Sequence, residues 1–188
     1  MTSDDSPRVS ERLGNRHKTV GMWAHQMISL VRRWLPDREI SLMGDTAYSV
    51  LELGLHANDQ QVTLITTGRL DAVLHEAPPE RSQHTIGRPR VVGKRLPALE
   101  QVLPDPETVW QKLTLDWYGQ GKRTLEICTG TALWYRYGSA PLPIRSRLDS
   151  RSIGEASPPS AIVSTDPTQT AEQIVKDAHE ALVSGSDV

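Results

Sequence analysis

The chain has 188 residues, room for one ordinary domain or a piece of a larger one, and its 21 Lys and Arg against 23 Asp and Glu leave a net charge of −2 that argues against a wholesale nucleic-acid binder. Apolar residues make up 37% and Phe is absent, which is lean for a packed core, while the single cysteine excludes a disulfide framework and any multi-cysteine zinc site and suits a reducing compartment. No apolar run approaches the roughly 20 residues that span a bilayer, and MTSDDSPRVSERLGNRHK lacks the apolar segment of a secretory signal, so a soluble, cytoplasmic protein with no membrane partner is expected.

Residues 1–16 are polar and read as a disordered lead-in. In HKTVGMWAHQMISLVRRWL the residues Trp23, Met27, Leu30, Val31 and Trp34 fall at i, i+4, i+7, i+8 and i+11, the apolar stripe of a helix, which Pro36 stops. EISLMGD reads as a buried strand ending at Gly44-Asp45. TAYSVLELGLHAND reads as a helix capped by Asp45 or Thr46, and QVTLITT as a second strand. Helix, strand, helix, strand with short connections is the pattern of an α/β sheet.

All of the 13 prolines except Pro7 and Pro36 lie at Pro78 or beyond, so long helices are not expected through that half. EAPPERSQHTIGRPRVVGKR, residues 76–95, has little periodicity and reads as an extended loop. From residue 108 the pattern becomes β-rich: TVWQKLTLDW, a turn at Gly119-Gln120-Gly121, KRTLEICTGTALWYRY, a break at GSAPLP, then IRSRLDS. SRSIGEASPPS is another loop and AIVSTD a short strand. TAEQIVKDAHEALV closes as a helix with a thin stripe of Ile174, Ala178 and Val183.

Asp45 stands where a buried strand meets a helix start, the edge at which ligand and metal groups gather in α/β folds. A carboxylate there can hold a divalent cation, and it is equally a good N-cap. Arg81, Arg88, Arg90, Lys94 and Arg95 form a run of cations with no acid among residues 81–95. Such a loop can neutralise phosphates, or it can be a solvated loop with no partner. Trp110, Trp117, Trp134, Tyr118 and Tyr135 can stack unpaired bases, although aromatics in strands more often pack across strands. The six His show no metal-ligand spacing, and no GxSxG elbow is present. GQGKRT misses a phosphate loop twice, at Asp116 and at Arg123, and Cys128 reads as a small core filler.

The string HKTVGMWAHQMISLVRRWLPDREISLMGDTAYSVLEL resembles the central part of DDE-type insertion-sequence transposases, the DDE superfamily endonucleases, with Asp45-Thr46-Ala47-Tyr48 matching their D-[ST]-x-[YF] signature. TTGRLDAVLHEAPP, GRPRVVGKRLPALEQVL and WYGQGKRTLEICTGTALWYRYGSAPLPIRSRL resemble the same family in the same order, over roughly residues 16–170. The resemblance implies a partial ribonuclease-H-like core over 17–75, a β-rich insertion with the basic loop over 76–150, and a strand and helix over 151–188 that return to the core. It implies metal-dependent DNA cleavage and strand transfer in transposition. Three carboxylates hold two Mg²⁺ or Mn²⁺ ions in that chemistry, and Asp45 matches the second of them.

The other two carboxylates have no counterpart. Asp4 and Asp5 sit in the polar lead-in, and neither Glu172 nor Glu180 falls in the family's Y-R-x-R-W-x-I-E pattern, because the chain runs VKDAHEALVSGSDV instead. The expectation is a truncated, inactive fragment whose partners are transposon-end DNA, a second copy or a full-length transposase. A non-catalytic DNA-binding module or regulator is the alternative, and a poorly folding remnant a third.

Overall fold

The computed structural model describes residues 18–81, 86–116, 121–152 and 159–184. The lead-in, His84, Trp117, Tyr118 and most of the Gly119-Gln120-Gly121 turn lie outside them.

Helix α1, Val20–Trp34, begins where the Thr19 hydroxyl accepts the Met22 amide at 3.3 Å. It ends at Leu35 before Pro36, as the sequence indicates. The buried face differs from the stripe of large residues: Ile28 is the buried side chain, with Ala24 and Val31 beside it, while Trp23, Met27 and Trp34 are exposed. Periodicity marks an apolar face but not how much of it a neighbour covers. Strand β1, Ser41–Gly44, follows, and the segment read as one helix divides. A 3₁₀ turn, Thr46–Tyr48, precedes α2, Leu51–Asp59, with Val50 extended between them. Tyr48 folds back over Gly44, where a Cβ would lie 2.9 Å from that of Tyr48, so the turn closes over a residue with no side chain.

The remaining strands are β2 (Thr63–Gly68), β3 (Leu74–His75), β4 (Gln111–Asp116), β5 (Lys122–Trp134), β6 (Leu142–Ser152) and β7 (Ser160–Ser164). A one-turn α3 (Leu99–Val102) precedes β4, and α4 (Ala171–Ser184) closes the described chain. Seven strands form one mixed sheet ordered β1-β2-β7-β6-β5-β3, with β4 also on β5. Only β1 and β2 are parallel, and the rest pair antiparallel. The sheet therefore runs continuously from the strands around Asp45 into the β-rich half.

Alternation assigns its two faces. Leu64, Val163, Ala161, Leu148, Ile144 and Leu142 point to one face, where Leu51, Leu53 and α1 cover them. Leu125 and Ile127 pack with Val175 of α4, which covers the other face. Helix α4 is entered through a capping box in which the Gln173 side chain accepts from the Thr170 amide and the Thr170 hydroxyl accepts from the Gln173 amide. Among the described strands, β1 bonds only to β2, so its outer edge is unpaired.

Candidate nucleic-acid interface and the Asp45 carboxylate

Asp45 is exposed at the carboxyl end of β1. Its Oδ1 accepts the Ala47 amide at 2.8 Å, so the side chain caps the 3₁₀ turn. The cap and the metal-ligand readings are compatible, because the second carboxylate oxygen is left for another partner. Replacing Asp45 with Ala is expected to cost about 1 kcal/mol in a urea melt, whereas Asn, an equally good cap, should leave stability nearly unchanged. Among the described residues no group of three His, Cys, Asp or Glu is placed to hold a metal ion. Beside Asp45, between α1 and β1, lies an apolar groove of about 690 Å³ lined by Trp23, Met27, Val31, Leu42 and Tyr48.

The basic segment is more organised than an extended loop. The Glu76 amide donates to the Lys94 carbonyl at 2.9 Å, and the Gly93 amide to the Glu76 carbonyl at 2.9 Å. Leu96 donates to Leu74 at 2.8 Å, and His75 bridges Arg95. The two ends of the loop are thus tied into a short antiparallel stem on β3. Gly93 is required at the pinch, since a Cβ there would stand 2.4 Å from the Ala77 carbonyl oxygen. So short a ladder between segments about 20 residues apart leaves no periodicity in the sequence, which is why the stem is not apparent there.

Arg81, Arg88, Arg90, Lys94 and Arg95 are all exposed. Arg81 donates to the Gly87 carbonyl at 3.2 Å, drawing the loop's flanks together around Gly87, whose φ is +110. Among the described residues, Arg88, Arg90, Lys94 and Arg95 make no ion pair. Ile86 is 99% exposed at the same tip. The loop therefore presents cations to solvent from a pinned base, a geometry suited to a polyanion.

The aromatic cluster separates. Trp110 and Trp134 pack against the main core, and Tyr135 meets His75 edge-on at 5.9 Å. Those three contribute packing, while Tyr137, absent from the sequence-based candidates, is 94% exposed in the β5–β6 turn. Beside it, Arg136 pairs with Glu52 of α2 and so joins the turn to the helix layer. Cys128 is half-buried against the core, and burial raises its thiol pKa, which suits a filler rather than a nucleophile.

No described helix is long and apolar enough to cross a membrane. Among curated proteins, none matches the chain. A family model described as DDE superfamily endonuclease matches residues 4–169, the greater part of the sequence and all of the sheet. With that match spanning the sheet from β1 through β7, the chain belongs to the DDE superfamily endonucleases.

Proposed function

We propose that this chain engages DNA, as the family's transposase-type cleavage requires, but does not cut it alone. In this reading residues 17–75 are part of a ribonuclease-H-like core, 76–150 its β-rich insertion, and the basic loop lies along the phosphate backbone of transposon-end DNA. The observation that carries the reading is that loop: exposed cations from Arg88 to Arg95 with no ion pair among the described residues, held on a stem. A net charge of −2 means that the attraction is local to this segment.

The proposed inactivity is supported by the acid set of the described residues. Each divalent cation in such chemistry takes several fixed oxygen ligands, and two metals need carboxylates shared between them. The described residues offer Asp45, already holding the Ala47 amide, and do not fit a two-metal centre. Asp45 would contribute to a Mg²⁺ or Mn²⁺ site only with acids supplied from elsewhere.

The purified chain, incubated with supercoiled plasmid and Mg²⁺ or Mn²⁺, should nick DNA no faster than buffer. Nicking that disappears in Asp45→Asn, which keeps the cap, would overturn the inactivity. A second reading, a cytoplasmic regulator pairing with full-length transposase or another copy, is favoured by the open edge of β1 and the apolar groove beside it. It predicts a slowing of strand transfer when the chain is added to an active transposase, an effect that edge substitutions Leu42→Lys or Met43→Lys remove.

A further inference from the structure

Helix α1 has one buried side chain, Ile28, and leaves Trp23, Met27 and Trp34 exposed, so its attachment to α2 depends heavily on polar contacts along the seam. Two of these are histidines. His25 of α1 and His56 of α2 stack with ring centroids 4.6 Å apart and planes within 16°. His56 Nε2 lies 3.1 Å from the His25 carbonyl oxygen and 3.0 Å from Ser29 Oγ, and that hydroxyl donates to the same carbonyl at 3.1 Å. A carbonyl only accepts, so this contact places a proton on Nε2 of His56.

The arrangement tolerates one positive charge and opposes two. A protonated His56 keeps its Nε2–H contacts, and an imidazolium can face a neutral ring. With both rings protonated, like charges meet face to face at the stacking distance. The charged groups that act on His25 are His56, which disfavours its protonation, and Glu52, which favours it. Glu52, one turn before His56 on α2, is already paired with Arg136 of the β5–β6 turn. Arg32 adds a further cation along α1, donating to the Gln60 and Gln61 carbonyls.

We propose that the α1–α2 seam is a proton-operated hinge: when both imidazoles are charged, α1 comes away from α2 and opens the apolar groove beside β1. The direction of titration agrees. Burial first, and His56 second, hold His25 below its ordinary 6.5. The detached helix therefore binds protons more readily than the docked one. Docking is fully favoured above about pH 6.5 and weakens as pH falls through the lowered value of the docked state. Each unit of separation between the two values changes the opening equilibrium tenfold.

Hydrogen exchange of the full chain between pH 7.5 and 5 tests this, with intrinsic pH effects divided out. Protection of α1 amides should fall while β5 and β6 stay protected. In His25→Gln, which keeps the backbone carbonyl used by His56, the fall should be lost. Equal pH response of α1 and β6, or an unchanged response in His25→Gln, would overturn the hinge. Should that variant not fold, Glu52→Gln decides: losing the acid that favours the charged His25 must deepen the fall in α1 protection at pH 5, and an unchanged fall overturns the proposal.

Discussion

Arg32→Ala should lower the unfolding free energy by about 3 kcal/mol, a large share of what a domain of this size has. One guanidinium holds two turns of backbone. Its Nε donates to the Gln60 carbonyl at 2.8 Å and one Nη to that of Gln61 at 2.5 Å. The other Nη reaches the Leu35, Pro36 and Arg38 carbonyls at 3.1, 3.2 and 2.8 Å. These carbonyls belong to the turn that leads into β1 and the turn that leads into β2, the parallel pair at the sheet edge. Gln61 is the one non-glycine among the described residues with positive φ, at 54°, and Arg32 holds it there. Hydrogen bonds from a charged donor contribute about 1.5–3 kcal/mol each, but water replaces the exposed ones, so the sum is discounted to the figure above. Arg32→Lys should recover less than half, because an ammonium cannot span the same set of acceptors. A urea midpoint that implies a loss under about 1 kcal/mol would remove this account.

The second large effect concerns DNA. Neutralising Arg88, Arg90, Lys94 and Arg95 together, each to Gln, should reduce affinity for a random duplex roughly a hundredfold at low salt. The slope of log affinity against log salt should become shallower by about 3 to 4, since each neutralised phosphate contributes near −0.9. The four side chains are exposed and carry no described ion pair, so stability should barely change. Fluorescence anisotropy across a salt series separates the outcomes. A slope that does not move shows that the loop is not on the phosphates, whatever the absolute affinity.

Much of the first half is legible residue by residue because each element carries its own stop. Pro36 ends α1, Gly44-Asp45 ends β1, and Gly68 ends β2. The antiparallel run from β4 through β6 is equally plain from its β-branched content. What local pattern does not carry is placement. The bulk of the α1 stripe lies in Trp23, Met27 and Trp34, yet Ile28 takes the core, because α2 and the edge of the sheet reach only one flank of the helix. The division of α2 depends on Tyr48 closing over Gly44, a contact between side chain and bare backbone that propensity does not express. β3 is two residues paired to the far end of β5, and the stem on Arg95 is a single bridge. Asp45 and the basic loop stand out by type and spacing. The histidine seam does not, because His25 and His56 lie 31 residues apart and meet only when two helices dock.

The pinch at Gly93 has a consequence for how this protein can change. Because the backbone enters and leaves the basic loop through one hydrogen-bonded gate, the described residues between Ala77 and Val92 lie outside the sheet's ladder. Doubling the length of such a loop adds only about 0.6 kcal/mol of closure entropy. Variation in the number and spacing of its arginines is thereby uncoupled from folding. The segment is an exchangeable cassette, and a transplant that carries Glu76, Gly93 and Lys94 with it takes along the frame that presents it.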